Sequence, residues 1–128
     1  MTGWEALDAE LALWTEAGRR CPLWLRDDDA VAASPALDRL LALCAAARVP
    51  LGLAVIPADA TPSLAGPLAD HPDVAILVHG WAHANHALPG EKKAEFGAGR
   101  PAEARRGEAA RGLERLRGLF TDQGLGDQ

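Results

Sequence analysis

Two short segments concentrate side chains able to hold a cation and move a proton. The first is Arg26-Asp27-Asp28-Asp29, three adjacent carboxylates whose mutual repulsion must be offset by solvent, a helix N-terminus or a bound ion. The second is His79-Gly80-Trp81-Ala82-His83-Ala84-Asn85-His86. Histidines at i and i+4 can point the same way over one helical turn, as metal ligands require. Each grouping alone has an ordinary explanation, a solvated acidic loop or an incidental pair of imidazoles. Together they offer one carboxylate oxygen and two imidazole nitrogens, which suit zinc, cobalt or another first-row divalent ion with a position left open for water. A second carboxylate beside the ion can then take a proton from that water.

The elements that must position these groups can be read from apolar spacing. Thr2-x-x-Glu5 is a capping box, and Trp4, Leu7, Leu11 and Trp14 follow at helical spacing up to a stop at Gly18, which predicts a helix ending near Arg19 with both tryptophans in the core. Pro22 to Arg26 reads as a short buried strand that carries the aspartates at its end. Ser34-Pro35 caps a helix with Leu37, Leu40, Leu41 and Cys44 on one face. Leu51 to Ile56 is a second buried strand. A short helix follows from Thr61-Pro62, kinked or cut short by Pro67, and Val74 to Val78 is a third strand that delivers His79. After a polar, glycine-rich stretch from Leu88 to Arg100, with room for a turn around Glu91 to Phe96, a last helix is expected over Pro101 to Phe120. Gly107, Gly112 and Gly118 should weaken it by about 1 kcal/mol each relative to alanine. Buried strands alternating with helices imply an α/β fold with a parallel sheet, whose functional groups gather beyond the carboxyl ends of the strands. Both clusters fall at that end.

Asp27-Asp28 resembles the paired aspartates of the NodB homology domain, found in polysaccharide deacetylases of carbohydrate esterase family 4. Where that pattern is Thr-Phe-Asp-Asp-Gly, this chain has Leu25-Arg26-Asp27-Asp28-Asp29, and His79-Gly80-Trp81-Ala82-His83 is similar to the family's His-[Ser/Thr]-x-x-His. The resemblance runs from about Pro22 to His86, and the placement of Ser34-Pro35 favours one register. In it Asp27 is the catalytic base and Asp28, His79 and His83 are the metal ligands, with Asp29 as ligand in the alternative shifted by one. The implied activity is zinc-dependent hydrolysis of a C–N amide bond, such as an N-acetyl group, on a carbohydrate or small amide. Arg26 and Asp29 depart from the pattern, and Gly80 stands where the family has a hydroxyl residue that supports the ligands. Such changes suggest a divergent branch whose substrate need not be a polymer. No Arg-Pro-Pro-Tyr-like segment and no Leu-x-His general acid follow His86. With about three strands, the 128-residue chain reads as a single, truncated domain, the incomplete front half of a NodB-type (β/α) barrel, with its metal-site motifs within residues 22–86.

Other residues carry weaker signals. Trp81 either lines a substrate cleft or anchors the ligand loop from the core, and His86 is a spare ligand, a substrate contact or a pocket-rim residue. Lys92, Lys93 and Arg100 either meet an anionic substrate group or belong to a solvated loop. The net charge of −5, without a dense basic cluster, argues against nucleic acid, and no stretch reaches the ~18 apolar residues of a membrane span. The start has no export-signal pattern, and Cys21 and Cys44 are expected as buried free thiols, so a cytoplasmic protein is anticipated. Two other classes compete with the hydrolase. One is a truncated, non-catalytic remnant that binds metal or self-associates through unpaired strand edges. The other is a two-histidine, one-carboxylate iron oxygenase.

Overall fold

A computed structural model describes residues 3–121. Thr2, and with it half of the expected capping box, lies outside them. The elements in chain order are α1 (Gly3–Glu16), β1 (Leu25–Ala30), α2 (Pro35–Ala47), β2 (Leu51–Val55), a 3₁₀ turn (Pro62–Leu64) running into α3 (Ala65–Ala69), β3 (Val74–Val78) and α4 (Ala102–Leu119). The three strands form one parallel sheet in the order β1-β2-β3. The anticipated α/β fold with a parallel sheet is therefore present.

The burial pattern follows from the central position of β2. Paired on both sides and covered by helices, it buries Leu51, Leu53, Ala54 and Val55, the continuous apolar run of a parallel strand. Helix α2 opens on Ser34, whose hydroxyl accepts the Leu37 amide at 3.1 Å, with Pro35 at the first helical position. It packs Leu37, Leu41 and Cys44 into a core shared with Leu64, Leu68, Ile76, Leu116 and Phe120. Cys44 is buried and Cys21 half-buried, and both are free thiols.

Two expectations fail on the N-terminal side. The first strand begins at Leu25, three residues later than Pro22, and none of its residues is buried. Among the described residues it pairs only with β2, and it carries three aspartates, whose charge keeps it in water. Helix α1 forms but buries nothing. Trp4 is 74% exposed, and Trp14 is half-buried beneath the Arg19 guanidinium at 4.4 Å, with its indole N–H donated to Glu10. The apolar stripe is real, but none of its residues joins the core.

Helix α4 runs unbroken through its three glycines. Gly112 is buried where the helix crosses the end of the sheet. A Cβ there would lie 3.1 Å from the Gly80 carbonyl oxygen and from Pro57 Cγ. The missing side chain permits a close approach that repays the helix-propensity cost. Arg115 fastens the same crossing by donating to the carbonyls of Pro57 (2.6 Å) and Ala60 (2.8 Å).

Candidate metal centre

The acidic segment is shaped by an irregularity in β1. Arg26 and Asp27 pair with Gly52 and Leu53, but the register shifts before Ala30 meets Val55. Within this bulge Asp29 takes a left-handed backbone (φ 69°), a region aspartate tolerates better than most residues. Before the bulge, ordinary strand alternation puts Arg26 and Asp28 on one side, and Arg26 Nε donates to Asp28 Oδ1 at 2.5 Å. After it, the Ile56 and Thr61 amides donate to the carbonyls of Ala30 (3.1 Å) and Val31 (2.8 Å), holding the exit of the strand. Bulges of this kind re-aim a side chain. Here the re-aimed group is Asp29.

The histidines reach the same point from the far side of the sheet. The His79 amide donates to Val55 O at 2.9 Å, extending the β2–β3 ladder one residue beyond β3. β1 and β3 flank β2, so their backbones stand roughly 10 Å apart, a gap that an aspartate and an imidazole can close together. His79 Nε2 lies 3.1 Å from Asp29 Oδ1, and His83 Nε2 lies 3.5 Å from the same oxygen. The two rings are 5.1 Å apart between centroids. One ligand atom from each of the three residues lies within 4.8 Å of the others.

The two carboxylate–imidazole separations match neighbouring ligands of a four-coordinate ion. With bonds of about 2.0–2.1 Å, tetrahedral ligands sit about 3.3–3.4 Å from one another. The donor set fits zinc or cobalt and leaves at least one position for water or substrate. His79 is half-buried, while His83 and Asp29 are exposed, so the centre opens to solvent.

The carboxylate that meets the imidazoles is thus Asp29, not Asp28, whose own carboxylate is engaged by Arg26. The register shifted by one is the one the geometry displays. Asp27 stands outside the triad, exposed in a cleft of about 410 Å³ that it lines with Asp28, Asp29, Ser34 and Leu37. The turn from His79 to His83 is not helical. Left-handed residues at Gly80 (φ 64°) and His83 (φ 54°) double the chain back and bring both Nε2 atoms to one oxygen.

The other candidates lie outside the triad. Trp81 is half-buried, and the Arg111 guanidinium stacks 4.6 Å over its ring, tying the loop to α4. His86 is exposed and outside the triad, with its backbone amide donated to Ala94 O at 2.9 Å. Lys92 and Lys93 are exposed. Arg100 is committed to a two-pronged contact with Glu108, at 2.7 and 2.8 Å. That contact holds the Glu108 carboxyl below the ordinary glutamate range and raises the Arg100 value further. Glu95, which no sequence pattern marks, accepts two amides of the histidine loop. Among the described residues no helix is long and apolar enough to cross a membrane. No family model, curated protein or solved structure matches the chain.

Proposed function

We propose that this chain is a metal-dependent hydrolase acting on a C–N amide bond of a carbohydrate or small amide, after the manner of the polysaccharide deacetylases it resembles. One observation carries the reading: Asp29, His79 and His83 converge at the carboxyl ends of parallel strands, with both imidazoles 3.1–3.5 Å from one carboxylate oxygen. Asp29, His79 and His83 would hold the ion, zinc or cobalt by their chemistry. When bound, it supplies Lewis acidity toward an acyl oxygen and lowers the pKa of a coordinated water. Two carboxylates remain as bases. Asp28 occupies the base position in the shifted register and is linked to His79 through Arg26, while Asp27 faces the same cleft. The cleft's volume falls in the range of small-molecule sites, which supports a small substrate group beside the aspartates. The incomplete barrel and a cytoplasmic setting belong to the same proposal, the latter supported by the two free cysteines. An iron oxygenase shares the donor set, but by analogy its sites are built on antiparallel jelly rolls, and this sheet is parallel.

The test is cobalt titration followed by an assay for acetate release from N-acetylated sugars. Tetrahedral Co²⁺ absorbs strongly in the visible region. The bands are expected in the parent chain and in Asp28→Ala, and absent in Asp29→Ala, His79→Ala and His83→Ala. A folded parent that takes up no cobalt overturns the proposal.

A second reading, a non-catalytic chain that self-associates, is favoured by the apolar surface around β1. Leu23 and Trp24 are 73% and 72% exposed beside a strand that pairs on one edge only. Acetate release by a monomeric, metal-loaded sample excludes it. Concentration-dependent sedimentation abolished by Leu23→Ser/Trp24→Ser, with no turnover, supports it.

A further inference from the structure

We infer that Glu95 is the positioning residue of the histidine loop, the group that holds His79 and His83 at metal-binding distance. This rests on reading the triad as a metal centre. Between the two histidines the chain has no helical hydrogen bonds, so its amides need other acceptors. Glu95 provides them with both of its oxygens, Oε1 accepting the Ala82 amide at 2.7 Å and Oε2 the Trp81 amide at 3.2 Å. A charged acceptor makes such bonds stronger than a neutral one would.

The carboxylate is itself delivered by a built support. Asn85 Oδ1 accepts the amides of Ala87 (3.1 Å) and Ala94 (3.0 Å), and the His86 amide donates to Ala94 O at 2.9 Å, which brings position 95 back beside the loop. Arg100 Nη1 donates to Glu95 O at 3.2 Å and to Glu108 on α4 at 2.7 Å, fixing the other flank. Gly80 completes the arrangement. A Cβ on its left-handed backbone would run into Glu95 Oε2, so a side chain there must push this carboxylate off the two amides. Gly80 and Glu95 act as one device. Neither is one of the three candidate ligands.

The experiment measures Co²⁺ affinity, the cobalt visible spectrum, thermal melting, and amide exchange at Trp81 and Ala82 in metal-free protein. Glu95→Ala is expected to weaken Co²⁺ binding by about 10- to 100-fold, the usual cost of losing an outer partner, with faster exchange at the two amides. Glu95→Gln keeps one acceptor oxygen and should fall between Ala and the parent. Gly80→Ala should weaken binding in the parent and cost less in the Glu95→Ala background, where the clash with the oxygen is gone and only the strain of a left-handed alanine remains. Unchanged affinity, spectrum and exchange in Glu95→Ala overturn the inference. So does a loss of affinity that only tracks global melting, with Glu95→Gln identical to the parent. If the parent takes up no cobalt, the metal reading fails, while the exchange rates still decide whether Glu95 holds the loop.

Discussion

Arg26 donates from Nη2 to His79 Nδ1 at 3.1 Å, on the side of the ring opposite the nitrogen that meets Asp29. A guanidinium has donors only, so this contact makes Nδ1 an acceptor and leaves the proton of a neutral ring on Nε2, beside Asp29. A neutral histidine bound to a metal through Nε2 carries its proton on Nδ1, where it faces Arg26 donor to donor. Loading the centre therefore requires Arg26 to withdraw. Its positive charge opposes a divalent ion across the ring as well, by about 1 kcal/mol at water-like dielectric and ~7 Å. Arg26→Gln, which can accept from Nδ1–H, is expected to bind Co²⁺ severalfold more tightly than the parent. Isothermal titration at fixed pH checks this, and weaker binding would show that Arg26 supports the centre instead.

The two free carboxylates can be separated by their neighbours. Asp28 is held by Arg26, whereas Asp27 has no ion-pair partner among the described residues. Asp28→Asn should lower kcat by about 10²- to 10⁴-fold, the range for loss of a general base, while leaving Co²⁺ uptake intact. Asp27→Asn should have a smaller effect on turnover. The reverse order would return the base to Asp27.

The Arg100–Glu108 pair links stability to pH in a defined direction. Its hydrogen bond lowers the Glu108 value in the folded chain, so its contribution is complete above the unfolded glutamate value and is lost as pH falls through the folded one. Glu108→Gln is expected to melt below the parent at neutral pH, with the difference closing on acidification. Thermal melts from neutral to strongly acid buffer check this. A gap that widens in acid contradicts it.

The glycines of α4 should behave differently from one another. Gly107 and Gly118 have open space where a Cβ would go, so alanine at either should stabilise by roughly 0.5–1 kcal/mol through helix propensity. Gly112→Ala meets Gly80 O and Pro57 Cγ at 3.1 Å, and relief requires the sheet end or the helix to shift. It is expected to lose that gain and to weaken Co²⁺ binding through the displaced Gly80 carbonyl. Denaturant midpoints for the three variants decide the matter.

Much of the fold was legible because periodicity and punctuation agree. Val74–Val78 matches its apolar run residue for residue, and Ser34-Pro35 starts α2 as capping chemistry dictates. Leu51–Val55 stops one residue short of Ile56, which remains buried. The histidines were legible as a pair at a strand end. Which aspartate joins them was not, because a bulge is a ladder event between β1 and β2 and leaves no mark in three identical side chains. Glu95 was hidden for a related reason. Its partners are backbone amides, which every sequence possesses. Trp4 and Trp14 misled because an apolar stripe records what a helix can cover, not what lies near it.

Trp81 sits inside the ligand loop, whereas Trp24 precedes β1 at the opposite end of the sheet and Trp4 lies out on α1. The molecule consequently carries its own optical reporter. Paramagnetic, visibly absorbing cobalt should quench indole emission from position 81 far more than emission from Trp24 at the other end of the sheet, and colourless zinc should not. Fluorescence thus reads occupancy without a label, and Trp81→Phe supplies the blank.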